Sequence, residues 1–148
     1  MFVGALRRGA YLYQCYVGYD YSHGEYDVAA QRYGGAICRL EQRLDGFISA
    51  DSAFSGGFLV TKPVTFTGSR LEVNYNASAL GTIRVALLDE QGEALPGHGI
   101  EDCDVLEGNS TAKTVTWKGK WSLSALADQP VQLRFEMRAA KLFAFQFQ

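Results

Sequence analysis

Neither sign of charge dominates this 148-residue sequence, in which fourteen Lys and Arg stand against sixteen Asp and Glu for a formal charge of −2. Such a balance builds no field that would gather polyanions, and no basic stripe is interleaved with aromatics, so nucleic acid is not expected as a partner. Long apolar runs are missing as well. None approaches the ~20 residues that cross a bilayer, and residues 1–10, which carry Arg7 and Arg8, lack the apolar core of a signal peptide. The expectation is a soluble chain with no membrane partner, its compartment left open. Cysteine is scarce: Cys15, Cys38 and Cys103 are widely spaced and form no CxxC pair, which removes the usual zinc site and redox dithiol. They read as reduced and mostly buried, with one disulfide as the alternative. Also absent are GxSxG, GxGxxG and GxxxxGK[ST], and with them the nucleophile elbow, the dinucleotide fold and the P-loop of the usual kind.

What the sequence does have is apolar content of 47% with 20% charge, the balance of an ordinary globular domain, and an unusual aromatic share of nine Phe, eight Tyr and two Trp. From Leu44 onward the apolar residues recur at every second position, the period that gives a strand one buried face. Leu71, Val73 and Tyr75 alternate with Glu72, Asn74 and Asn76; Ile83, Val85 and Leu87 repeat the pattern; Val131, Leu133, Phe135 and Met137 alternate with Gln132, Arg134, Glu136 and Arg138. Turn chemistry separates the runs, at Thr67-Gly68-Ser69, Ala79-Leu80-Gly81, residues 89–92, residues 96–99 and Asp128-Gln129-Pro130. Residues 122–127 have room for a single helical turn. Short strands between such turns describe an all-β fold, and the expected architecture is an antiparallel β-sandwich, jelly-roll-like, over residues 44–148. Its last segment, residues 142–147, places three Phe on one face, which predicts a strand inside the sheet.

Residues 1–43 differ in character. A Tyr-dominated run, residues 11–19, and a second apolar run, residues 34–40, predict an N-terminal β-hairpin with a connection of about 14 residues, a length often tied to function. Unpaired strand edges and exposed Tyr call for a covering, so this hairpin is expected to pack on the sandwich or to form a homodimer interface.

The series Arg43-Leu44-Asp45-Gly46-Phe47-Ile48-Ser49-Ala50-Asp51, then Gly57 with Thr61-Lys62-Pro63, then Gly81-Thr82-Ile83-Arg84-Val85 with Leu88-Asp89-Glu90, resembles the C-terminal portion of bacterial proteins related to five-bladed-propeller glycoside hydrolases of the invertase and levanase type. The stretches Glu101-Asp102-Cys103-Asp104, Val115-Thr116-Trp117-Lys118-Gly119, Leu133-Arg134-Phe135 and Leu142-Phe143-Ala144-Phe145 fit the same pattern, so the resemblance covers residues 45–147. In that family a propeller supplies the catalytic carboxylates and a sandwich follows it. The resemblance implies that residues 11–40 are the last propeller strands, a blade remnant. Almost the whole propeller is missing here, and the hydrolase activity is therefore not carried over. It implies instead an accessory domain associated with carbohydrate processing.

Sugars present apolar ring faces edged with hydroxyls, and exposed aromatics beside carboxylates, amides or imidazoles suit them. Trp121 is the first candidate, because Lys118-Gly119-Lys120 leaves its indole in or near a loop; it either stacks on a sugar or plugs the end of the sandwich. Trp117 shares parity with Val115 and is expected inside. Tyr19, Tyr21 and Tyr26 around His23 form a second candidate group for a polysaccharide or oligosaccharide, unless they only pack. Glu101, Asp102 and Asp104 offer oxygen ligands for calcium, the one cofactor considered, although they lack the order of a calcium loop and otherwise make a solvated acidic turn. The preferred function is a noncatalytic, carbohydrate-binding or packing module of a glycoside hydrolase. The alternatives are a small stand-alone glycoside hydrolase using a pair among Asp45, Asp51, Glu72 and Asp89, and a homo-oligomeric structural protein.

Overall fold

The computed structural model describes residues 4–19 and 35–148, and the chain divides into two compact units, Met1–Gly46 and Phe47–Gln148. All sheets are antiparallel, and among the described residues the one helical piece is a 3₁₀ turn at Ser124–Leu126, inside the segment read as a single helical turn. The all-β class expected from the two-residue period is the fold observed.

The first unit is a meander of β1 (Ala5–Arg8), β2 (Tyr11–Gly18) and β3 (Ala36–Arg43), in the order β1-β2-β3. The expected hairpin is the β2–β3 pair, and β1 adds a third strand to it. Four residues are too few to show a period, yet Gly9, at φ +59°, closes a tight turn that brings Ala5 opposite Gln14 and Arg8 opposite Tyr11. The register sets Tyr13 opposite Glu41 and Cys15 opposite Arg39 on one face, where the Arg39 guanidinium lies 5.2 Å from the centre of the Tyr13 ring. Tyr16 opposite Cys38 occupies the other face, so the two thiols of this sheet project in opposite directions. All three cysteines are free, but only Cys103 is buried; Cys15 is exposed and Cys38 half-buried, against the expectation of mostly buried thiols. Cys15 shares the face of the sheet that carries Tyr13 and Arg39.

In the second unit the strands are β4 (Ala50–Ser52), β5 (Gly57–Val60), β6 (Leu71–Leu88), β7 (Leu106–Thr114), β8 (Gln132–Arg138) and β9 (Ala140–Phe147). The sheet order β4-β9-β6-β8-β5, with β7 beside β6, hides a simpler plan. β6 is one 18-residue strand, not two strands separated by a turn at Ala79-Leu80-Gly81. Its first half pairs with β9 and its second half with β8, while β8 and β9 follow each other through the single residue Ala139. β4 and β5 likewise run along β9 and β8 in turn. β6 and the joined β8–β9 run, with the short β4 and β5 beside them, therefore bend together at one corner, and the continuous sheet folds over into two facing arms around a shared core, nearly closed like a barrel.

Backbone chemistry at the corner explains the bend. Ser78 and Ala139 adopt φ of +52° and +44°, left-handed conformations that turn a strand out of its plane. Gly81 sits between them, where a β-carbon would fall far inside 3.0 Å of the carbonyl oxygens of Ala77 and Ala139. Only a glycine lets the two strands cross this closely.

Odd-numbered residues of β6 face inward on both arms: Leu71, Val73, Tyr75 and Ala77 before the corner, Ile83, Val85 and Leu87 after it, all buried. They meet Leu133, Phe135 and Met137 of β8, as the alternation predicted. Tyr75 is 1% exposed, and its phenol donates to the Glu107 carbonyl at 2.7 Å; burial pushes its pKa up. Trp117 is 2% exposed, as its parity implied, and its indole N–H donates to the Val85 carbonyl at 2.9 Å, tying the segment after β7 to the second arm. At the end of the chain a bulge opposite Asn74 and Tyr75 takes up Phe143, after which Phe145 lies opposite Val73 and Phe147 opposite Leu71. Phe147 stacks on Phe66 with ring centres 3.8 Å apart, and Phe145 meets Phe135 at 5.5 Å. Phe145 and Phe147 therefore do pack against the core, but the bulge turns Leu142 inward in place of Phe143, which is half-buried outside the core cluster.

Candidate functional site

The site of interest grows from the hairpin that follows β7. Trp117 and Lys120 exchange backbone hydrogen bonds of 2.7 and 2.9 Å across Lys118 and Gly119, whose φ of +49° and +76° are those of a tight type I′ turn. Reversing the chain within two residues has a direct consequence for the tryptophans. Trp117, before the turn, goes into the core; Trp121, after it, stays 48% exposed.

Trp121 lines a shallow hollow of about 430 Å³ with Arg70, Glu72, Thr114 and Thr116. The sheet supplies this arrangement. Glu72 is an even-numbered residue of β6 and so points to the outer face, where its register partners are Thr114 of β7 on one side and Gln146 of β9 on the other. Arg70 holds one Glu72 oxygen at 2.9 Å and Gln146 donates to the other at 3.2 Å, which fixes the carboxylate in the floor. A flat apolar ring thus stands beside a fixed carboxylate, a guanidinium and two hydroxyls.

Asp102 and Asp104 buttress the same hairpin. The Asp104 carboxylate accepts the Thr116 hydroxyl at 2.5 Å and the Gly119 N–H at 2.9 Å, and these bonds hold its pKa below the usual aspartate value. Asp102 pairs with Lys118 and accepts the Gly99 N–H; the lysine contact holds its pKa down, and the aspartate in turn raises that of Lys118. Glu101 is exposed in the adjoining turn. The structure sends Asp102 and Asp104 to separate partners, and among the described residues no three potential ligands gather as a metal site requires.

Of the other sugar-site candidates, Tyr19 is 59% exposed in the first unit. Tyr21, His23 and Tyr26 lie outside the described residues. Sequence reasoning picked out Trp121 from its place next to a turn, but it missed Arg70, Thr114 and Thr116, which reach the indole only through sheet pairing. The even parity of Glu72 was visible; its partners were not. The described residues include no helix long and apolar enough to cross a membrane.

No family model matches this chain, and no curated protein or solved structure matches it.

Proposed function

We propose that the second unit is a noncatalytic carbohydrate-binding module and that the hollow at Trp121 is its saccharide-binding face. The carrying observation is the half-exposed indole held beside the Glu72–Arg70 pair and the Thr114 and Thr116 hydroxyls. An indole takes the apolar face of a sugar ring, while a carboxylate and a guanidinium that already fix each other present acceptors and donors to the ring's hydroxyls without reorganising. The hollow is shallow and open along the sheet, which favours a chain of sugar units over a small enclosed ligand. Binding is preferred to hydrolysis because Glu72 is, among the described residues, the one carboxylate lining the hollow, whereas a glycosidase needs two carboxyl groups across the scissile bond. The blade-remnant reading of the first unit is supported only to the extent that its antiparallel meander has three strands where a propeller blade has four. Association with a glycoside hydrolase belongs to the same proposal.

The test is affinity electrophoresis and isothermal titration against a panel of neutral polysaccharides, comparing the native chain with Trp121→Ala. Binding by the native protein that falls about tenfold or more in the variant, with the melting temperature unchanged, is the expected result, since one stacked aromatic contributes on the order of 1–2 kcal/mol. Binding unaffected by Trp121→Ala would move the site elsewhere. No binding across the panel would leave the hollow without this role.

A second reading, homo-oligomerisation through the first unit, is favoured by one observation. None of its described residues is buried, and Leu6, Val17, Tyr19 and Ile37 are among its exposed apolar side chains. Sedimentation of the native chain against one carrying Val17→Lys and Ile37→Lys tests it; identical monomeric behaviour of both refutes it.

A further inference from the structure

On the outer face of the other arm the sheet collects positive charge. Even-numbered residues of β6 and β8 point outward there, and the register sets Thr82 opposite Arg138, Arg84 opposite Glu136 and Ala86 opposite Arg134. Three guanidiniums share this face with one carboxylate in a chain whose total charge is negative. That carboxylate is already committed, because Arg134 holds a Glu136 oxygen at 2.7 Å. Arg84 spends its hydrogen bonds on the carbonyls of Ile100 and Cys103, and Arg138 on the carbonyl of Phe54. Among the described residues no carboxylate stands within ion-pair distance of Arg84 or Arg138.

These two side chains are diagonal neighbours across the β6–β8 pair, a position in which like charges oppose each other. They line one groove of about 560 Å³, whose floor also includes Thr82, Glu136, Phe58 and the glycines at 56 and 57. Phe58 is 67% exposed, with the Arg134 guanidinium 4.8 Å from its ring centre. Arg138 in turn sits over Phe54 at 3.9 Å, which holds its flexible stem in place. The groove therefore combines two oriented guanidiniums, neither in a direct ion pair among the described residues although Arg84 also feels Asp104 through space, with an exposed aromatic ring beside them. Guanidinium forks match the planar oxygens of a carboxylate, and the ring supplies a surface for the apolar side of a sugar.

We infer that this groove is a second binding site, for the carboxylate of an acidic saccharide such as a uronic acid oligomer, with Arg84 and Arg138 as the anion-holding pair and Phe58 as the stacking surface. It rests on the carbohydrate reading for the nature of the ligand, but it uses a different face and different residues from the hollow at Trp121.

The experiment titrates the full chain with oligomers of galacturonic acid and of glucuronic acid, with the methyl esters of the same oligomers, and with sodium acetate. The expected result is binding of at least one uronate oligomer that weakens as salt rises. Its methyl ester and acetate should each bind about tenfold more weakly or not at all, because one charge-assisted contact is worth roughly a factor of ten. Arg138→Gln should weaken the uronate by a similar factor with an unchanged melt, while Trp121→Ala leaves it as it was. Arg84→Gln should act in the same direction; if losing its bonds to residues 100 and 103 unfolds that variant, the exposed Arg138 carries the test alone. No uronate binding, equal binding of the methyl ester, acetate matching the oligomer, or full affinity in Arg138→Gln would each overturn the proposal. A neutral glycan bound through Trp121 in the absence of any uronate binding would sink this site and leave the first one standing. A uronate bound through the arginines with every neutral glycan silent would do the reverse.

Discussion

Replacing Gly81 with alanine should unfold the second unit, although it adds one methyl group to an 18-residue strand. The added carbon would lie 2.8 Å from the carbonyl carbon of Ala77, closer still to the oxygens of Ala77 and Ala139, and well inside the 3.0 Å that such a carbon needs. Neither oxygen belongs to a flexible side chain. Relief requires both that β6 rebuild its own backbone between Ala77 and Gly81 and that it draw away from the β8–β9 junction at the corner where the sheet folds over, so the cost propagates into the pairing of both arms. Ordinary overpacking costs about 1–3 kcal/mol; here two backbone groups resist at once, and a loss of about 4 kcal/mol or more is expected. A unit of this size has a total stability of roughly 5–15 kcal/mol, so the variant should be partly or wholly unfolded at 37 °C.

Gly92→Ala is the control. Gly92 has φ of +86° with nothing within 4 Å of its missing β-carbon, so alanine there meets strain but no collision. It should lose only about 1–2 kcal/mol, the cost of a left-handed alanine. Urea unfolding followed by tryptophan fluorescence suits the comparison, since both tryptophans lie in the second unit and Trp117 is buried. A Gly81→Ala variant no less stable than Gly92→Ala would refute the crowded-corner account of the fold.

The lowered pKa of Asp104 predicts an acid sensitivity with a definite sign. The folded carboxyl titrates below the unfolded value of about 3.9, so its stabilising contribution is complete above that value and is lost as pH falls through the folded pKa. Unfolding curves between pH 5 and 2 should therefore converge for native and Asp104→Asn proteins at the acid end while the native protein leads at pH 5; curves that stay parallel would contradict it. Removal of residues 142–148 deletes most of β9, including the Phe147–Phe66 stack and the Phe145–Phe135 contact, and exposes the inner edge of β6. The shortened chain should be insoluble or molten by near-UV circular dichroism, and a soluble product with a cooperative melt would show that β9 is dispensable.

Sequence alone determined the class of fold and the composition of its core, because the two-residue period is a local property of each strand. Leu71, Val73 and Tyr75, Ile83, Val85 and Leu87, and Leu133, Phe135 and Met137 were assigned inward from spacing and are buried. It determined the different fates of the two tryptophans from a Lys-Gly turn between them. Tertiary structure decided everything that depends on one strand meeting another. A Gly after Ala79-Leu80 looks like a turn, but at position 81 it is a crowded corner, where the Ala77 carbonyl of its own strand and the Ala139 carbonyl of the neighbouring strands both press on it, and the second of these is set only by the fold. The bulge that takes up Phe143 is set by the partner strand β6, so counting along β9 could not reveal it. Both candidate sites have the same origin. The even-numbered residues of strands were legible as an outer face, but which of them share a face, Trp121 with Arg70, Glu72 and Thr114 on one arm, Arg84 with Arg138 on the other, is fixed by register across the sheet, a relation between distant segments that no local pattern encodes.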